Sequence, residues 1–167
     1  RHYLTQDIRD YEKDYGVKND IVCDATDMQE AVKDGTIGTV LCLNTLEHVP
    51  SPQRIVDEIL RVLKPGGRVV ITIPTRCPIH REPKDYWRFM PDGITHLLSR
   101  FEIQDMMVGR SLSFPSCIYT TAVKLTSPGE PGSFDLSRIR LKRENSALVN
   151  VIDVIMEKFN LQLIRLR

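Results

Sequence analysis

The stretch from Thr39 to Ile73 constrains the fold more than any other part of the chain. Thr39 to Leu43 (TVLCL) is an apolar run of strand length. From Pro52 the period changes: Ile55, Val56, Ile59, Leu60 and Leu63 recur at three- and four-residue spacing, with Arg54, Asp57, Glu58 and Arg61 between them. Ser51 is the expected N-cap, and Pro52 suits a first helical turn because its missing amide hydrogen would have no partner there. Lys64-Pro65-Gly66-Gly67 stops the helix. Arg68 to Ile73 (RVVITI) is then a β-branched run, the pattern of a parallel strand covered on both faces. Strand, helix, glycine stop and strand make one βαβ unit, which commits the chain to an α/β fold.

The flanks extend this unit. His2 to Ile8 is a short strand ending at Asp7, followed by a polar loop or frayed helix punctuated by Gly16 and Asn19-Asp20. Ile21 to Cys23 is a second short strand closed by Asp24, and Asp27 to Asp34 reads as helical, with Met28, Ala31 and Val32 on one side. Beyond a polar and aromatic insertion from Pro74 to Pro91, a short helix (Asp92 to Ser99) precedes strands at Glu102 to Gly109 and Cys117 to Leu125. Joined without a helical crossover, these last two form an antiparallel hairpin at a sheet edge. SPGEPGS then reads as a linker, and Leu148, Val151, Ile152, Ile155, Met156 and Phe159 form the apolar stripe of a terminal helix. The expected organisation is a domain over 1–126, irregular chain over 127–146 and an amphipathic helix over 147–160. That helix packs on its own domain or on a second copy of the chain.

With 167 residues there is room for one domain with a real core. A net charge of +1 argues against a nucleic-acid surface built on bulk charge. No apolar run reaches the ~20 residues of a membrane span. Cys23, Cys42, Cys77 and Cys117 are scattered and form no CxxC pair, the pattern of reduced structural thiols in a cytoplasmic protein.

The central strand ends in polar residues, LCLNTLEHVPSP, where an apolar strand needs none. That is either an ordinary strand-to-helix loop or the rim of a ligand site. LCLNTLEHV, the helix and LKPGGRVVITIP together resemble the second half of a class I S-adenosylmethionine-dependent methyltransferase of the small-molecule type 11 group. The resemblance runs from about Tyr3 to Leu125 and implies a Rossmann-like, mostly parallel sheet with S-adenosyl-L-methionine as cofactor.

It also implies roles. Asp7 matches the strand-end carboxylate that accepts from both ribose hydroxyls. Asp24 and the amide of Ala25 match the adenine contact, and Met28 either lines the adenine pocket or belongs to the core. Backbone groups of Leu43 and Asn44 would face the cofactor's amino-acid part, while Thr45, Glu47 and His48 begin the acceptor pocket. Methyl transfer from a sulfonium is a direct displacement needing alignment, desolvation and sometimes a base, so Cys42 and Cys77 are not expected as nucleophiles. His48 is either that base or a structural histidine under the loop. Glu47 and His48, adjacent and without a third ligand, are not expected to bind metal.

The insertion IHREPKDYWRF resembles a segment of bacterial members linked to surface polysaccharide or glycan synthesis. It offers His80 as a second catalytic candidate, and Tyr86, Trp87 and Arg88 as a stackable, charged surface for a small polar acceptor such as a sugar. The bland alternative is that Trp87 and Phe89 anchor the loop onto the core while Arg88 pairs with Asp85 outside.

The resemblance is incomplete. The family's first strand and the glycine-rich loop after it have no counterpart here, and that strand is central in the family sheet. Without it the sheet would split into two pieces with raw edges. An upstream segment, another copy of the chain, or a degenerate noncatalytic scaffold on the same fold would each account for this. A nicotinamide oxidoreductase shares the acidic strand end but fits Asn44 to Val49 and Lys64 to Gly67 poorly.

Overall fold

The computed structural model describes residues 3–142 except 11, 17, 80–83, 114 and 127–133. The expected terminal helix, Ala147 to Phe159, lies outside the described residues. In chain order the elements are β1 (Gln6–Asp7), α1 (Glu12–Tyr15), β2 (Ile21–Val22), β3 (Ile37–Leu43), a 3-10 turn (Leu46–His48), α2 (Pro52–Val62), β4 (Leu63–Pro74), α3 (Pro91–Leu97), β5 (Phe101–Gly109), β6 (Cys117–Lys124), a 3-10 turn (Leu136–Arg138) and β7 (Arg140–Lys142).

β4 owes its interior place to its sequence. Val69, Val70, Ile71 and Ile73 are all essentially inaccessible to solvent, so both faces of the strand are covered. Full burial of one such side chain contributes about 2 kcal/mol, which fixes this strand inside the sheet. It pairs with β3 in parallel and with β6 antiparallel, within a five-stranded sheet of order β3-β4-β6-β5-β7. Ile55, Val56, Ile59 and Leu60 of α2 and Ile94 and Leu97 of α3 join Val69, Ile71, Ile73, Ile118 and Ala122 in one core cluster.

Between α2 and the regular part of β4, Lys64 to Gly67 loop out of the ladder as a bulge, since Ile37 pairs with Leu63 and Thr39 with Arg68. Gly66 there has a φ of +72°, and a Cβ on Gly67 would stand 2.8 Å from the Lys64 carbonyl oxygen. Neither position accepts a side chain cheaply.

Several expectations are corrected. β1 is confined to Gln6–Asp7. Ser51 stands at the N-cap but its hydroxyl makes no capping bond; its carbonyl instead accepts from the Arg54 amide at 3.1 Å. The β5–β6 hairpin is not the sheet edge, because β7 pairs in parallel with β5 outside it. β7 and buried Phe134 come from the segment expected to be irregular, and Phe134 joins the main core.

Asp27 to Asp34 is a series of turns rather than a helix. Tertiary bonds explain this. Glu58 accepts from the Met28 amide at 2.6 Å, Arg61 donates to the Val32 carbonyl at 2.8 Å and to Asp34 at 2.6 Å, and the Gly35 amide donates to the Arg61 carbonyl. The segment is strapped to α2, and its own bonds are those of turns, the Ala31 and Val32 amides both donating to the Met28 carbonyl.

β1 and β2 form a separate two-stranded parallel sheet. It meets the rest through Ile21 and Cys23, which pack with Ile37 and Val40 around Met28, Val32 and Val62. Among the described residues β3 pairs only with β4, and Leu4, Ile8, Val22 and Leu41 are exposed apolar side chains on these elements and their flanks.

The Glu58–Arg61 pair at the centre of this strap generates a pH prediction. Arg61 donates to both Glu58 oxygens at 2.8 Å, and this, aided by the Met28 amide, holds the Glu58 carboxyl below the usual carboxylate range. A depressed folded-state pKa contributes stability above the unfolded pKa, lost as pH falls through the folded one. Glu58→Ala should therefore lower stability at pH 7 by about 2 kcal/mol and flatten the acid side of the stability profile, as read by urea denaturation between pH 3 and 7. An unchanged acid limb would refute the assignment.

Candidate functional site

The parallel register of β1 and β2, with Gln6 opposite Ile21 and Asp7 opposite Val22, brings two carboxylates to the same end of adjacent strands. Asp7 is partly buried, and its Oδ1 accepts from the Arg9 amide at 3.3 Å. Asp24 is exposed, and its Oδ1 accepts from the Thr26 amide at 2.8 Å. That bond holds the Asp24 carboxyl below its usual range, so it stays ionised near neutrality. Ala25 is partly buried against the main core. Met28 is buried and packs with Val32 and Val62.

At the end of β3 the backbone turns sharply. Asn44 has a φ of +49°, a left-handed conformation that asparagine tolerates better than most residues. It is held there from β4: the Asn44 amide donates to the Thr72 carbonyl at 2.9 Å, and the Thr72 hydroxyl donates to Asn44 Oδ1 at 3.2 Å. Thr45 Oγ1 returns a bond to the Leu43 carbonyl at 3.1 Å. Cys42, just before, is fully enclosed, and burial pushes its thiol up to about 12. A thiol kept protonated in this way is no nucleophile at neutral pH.

The insertion closes over this turn. The Glu47 carbonyl accepts from the amides of Tyr86 (2.8 Å) and Trp87 (3.3 Å), and the Trp87 indole donates to the Val49 carbonyl at 2.8 Å. His48 Nδ1 lies 2.9 Å from the Lys84 carbonyl; because a carbonyl only accepts, Nδ1 carries a proton. The other ring nitrogen, Nε2, stands 3.8 Å from Glu47 Oε1. Glu47 itself is buried. Two loops that are distant in sequence are thus stitched into one rim.

Arg88 faces inward. Its guanidinium grips Asp85 in a two-bond pair, with Nη2 to Oδ2 at 2.6 Å, and also donates to the Trp87 carbonyl and to Cys77 Sγ. The Asp85 side chain is only 3% exposed, so the pair forms as the bland reading has it but is an internal brace of the loop, not an outside one. Tyr86 and Trp87 are each 43% exposed and form the outer surface, the Trp87 ring leaning on Phe89 at 6.3 Å between centroids. His80 lies outside the described residues. Among the described residues no three of His, Cys, Asp or Glu gather as a metal site, and no helix is long and apolar enough to cross a membrane. The sequence reading missed the Thr72 hydroxyl that braces Asn44. Its one signal is a polar residue in the buried run RVVITI.

The backbone places this chain in a known class. It superposes on a SAM-dependent methyltransferase from Archaeoglobus fulgidus with a TM-score of 0.54 at 14% identity, over 71% of this chain and 74% of that one. The [4+2]-cyclase SpnF also matches, with a TM-score of 0.51 at 19% identity over 65% of this chain and 56% of its own. The fold is therefore the Rossmann-like methyltransferase fold, with a mixed sheet. Residues 4–71 match the family model described as a methyltransferase domain. That segment is similar to the methyltransferase domains of the type 11 family. A curated relative, the ubiquinone biosynthesis O-methyltransferase of Dechloromonas aromatica, is 38% identical over 77 residues, 40% of this chain and 31% of that protein. The match thus spans about a third of the relative's length.

The brace yields a local prediction. Arg88→Ala removes the charge partner of a buried carboxylate and should loosen the rim. Amide exchange at Tyr86 and Trp87 should accelerate about tenfold or more, while exchange in β4 is unchanged. Equal acceleration in both would mean that Arg88 supports the whole fold rather than the loop.

Proposed function

We propose that this chain forms part of an enzyme that transfers a methyl group from S-adenosylmethionine to a small polar acceptor, a sugar or glycan precursor, in the cytoplasm. The observation that carries the reading is the stitched rim, which sets exposed Tyr86 and Trp87 beside the Asn44 to His48 turn. Aromatic faces with hydrogen-bonding edges suit a polyhydroxylated ligand. O-methylation by the curated relatives supports a small-molecule acceptor in general.

The donor set fits the cofactor. Asp7 would take the ribose hydroxyls, Asp24 and the Ala25 amide the adenine edge, and the backbone of Leu43 and Asn44 the amino-acid part. The bound cofactor supplies a methyl on a sulfonium, open to direct displacement by an acceptor oxygen or nitrogen. Thr45 and Glu47 orient the acceptor at the mouth of the turn, and Tyr86 and Trp87 cover it from outside. His48 Nε2 receives the acceptor's proton, with the Glu47 carboxylate close enough to steady the resulting charge; His80 is the second candidate for that role. Arg88 acts at a distance by bracing the loop.

The divided sheet is part of the proposal. The open edge of β3 and the short β1–β2 sheet leave room for one more parallel strand, supplied by an upstream segment or by a second copy of the chain. The same division favours a second reading, a noncatalytic binding module, and likeness to a cyclase shows that the fold serves more than methyl transfer.

Titration of S-adenosylhomocysteine separates the two. The enzyme reading expects binding that Asp7→Ala weakens by ~1 to 3 kcal/mol through lost hydrogen bonds to a charged group. Equal affinity in both proteins would remove Asp7 from the site. Absence of binding by this chain, alone and with the completing strand added in trans, would favour the noncatalytic module.

A further inference from the structure

β4 is buried on both faces, but the two helices of the main core account for only one of them. Val69, Ile71 and Ile73 of β4, and Ile118 and Ala122 of β6, belong to the cluster that α2 and α3 join. Side chains alternate along a strand, so Val70 and Thr72, with Tyr119 and Thr121, point the other way. The antiparallel register sets Val70 beside Thr121 and Thr72 beside Tyr119. Val70 and Tyr119 form a separate cluster, with Met107 of β5 and Cys117 packed against it. Among the described residues no helix contributes to this cluster. Val70 is nevertheless 0% exposed, Thr72 4% and Tyr119 9%. A sheet face left to water keeps its large side chains partly wet. Leu41 shows the contrast: it pairs with Val70 on the same face and is 37% exposed. The second face is therefore covered over β4 and β6, and the cover stops short of β3.

The covering atoms belong to this chain, because the burial is that of a single copy. Outside the described residues the sequence offers few apolar side chains to supply them. Residues 1–2 read RH, residues 80–83 read HREP, residues 127–133 read SPGEPGS, and Tyr11, Val17 and Phe114 are single positions. Residues 143–167 differ. Leu148, Val151, Ile152, Ile155, Met156 and Phe159 recur at helical spacing, and Glu157 stands opposite them. As a helix that stripe runs about 16 Å, enough to cross three strands spaced by about 4.8 Å. β7 ends at Lys142 beside Gly109, at the margin of the sheet. Residues 143–147 reach about 17 Å when extended, so a helix after them can return over either face. α2, α3 and Phe134 occupy the first face. The second is the one left.

We propose that the amphipathic segment 147–160 folds back over its own sheet and covers the second face, seating the Leu148 to Phe159 stripe on Val70, Tyr119 and Met107. The occupant is this chain's own segment and not a second copy. Asp153 and Glu157, on the opposite side of the stripe, then stay in water. The contact also reaches the candidate site. Thr72 lies on the same face, and its hydroxyl holds Asn44 Oδ1 at 3.2 Å. The segment thus backs the strand position that sets the turn after β3. Neither the burial nor the stripe depends on what that turn binds, so this inference stands apart from the acceptor reading.

Two cysteines make the test. Cys117 packs against the second cluster and reports on the seat, while buried Cys42 reports on the main core. The full chain is alkylated with N-ethylmaleimide beside Ile152→Asp, Ile155→Asp and the opposite-side control Glu157→Gln, and each cysteine is followed by mass spectrometry. Cys117 should react about tenfold faster in both stripe variants, with Cys42 protected in every protein and the control unchanged. Acceleration at Cys117 no greater than that at Cys42 would overturn the proposal. A second experiment leaves the stripe apolar. Val151→Cys, Ile155→Cys and Phe159→Cys are each treated with a short bismaleimide, and at least one should link to Cys117 within a single chain. Links only between chains would make a second copy the occupant, and no link to Cys117 from any of the three would leave the face to another part of the chain. Either result overturns the proposal.

Discussion

The carboxyl end of β4 is the junction on which the rest of this structure depends. Thr72, in the last fully buried stretch of the strand, holds Asn44 through two hydrogen bonds and so fixes the turn after β3. Two residues past the end of the strand, the Thr75 and Arg76 amides bond Ser116 and so fix the entry to β6. Both loop systems at this end of the sheet are thus indexed to one strand. That strand is immobile because its side chains are covered on both faces. Precision at the rim is inherited from hydrophobic burial in the layer beneath.

The parts of the fold that were legible in the sequence are those where apolar periodicity alone decides the structure. The helix after Pro52, Arg68 to Ile73 and the two later strands carry their period in residues that end up buried, whereas in Thr39 to Leu43, expected as a buried strand, only Cys42 is buried and Leu41 is exposed. The parts that were not legible are decided by partners distant in sequence. Met28 to Val32 has a helical pattern, but bonds to Glu58 and Arg61 outcompete a helix too short to sustain itself. Glu58 and Arg61 look like an ordinary surface pair at i,i+3 spacing, and nothing local says that Glu58 is buried. β7 is basic and three residues long, so its place beside β5 comes from backbone pairing and not from composition.

For the candidate site, sequence alone singled out two loops but not the bonds that join them. The Asn44 to His48 turn and the Tyr86 to Arg88 segment were identified separately, and the structure brings them together through backbone bonds that no side-chain pattern encodes. Arg88 is the instructive residue. A charged side chain in an insertion invites assignment to a ligand, yet its donors are committed to Asp85, the Trp87 carbonyl and Cys77.

The stitching between the two loops also bears on binding kinetics. A rim already fixed by the Glu47, Val49 and Lys84 carbonyls has little conformational entropy left to lose when a ligand arrives. Under the proposed acceptor reading, encounter would need no slow rearrangement of Tyr86 or Trp87, and differences in affinity among related acceptors would fall mainly on how fast each one leaves. Selection would then rest on residence time rather than on closure around the right ligand.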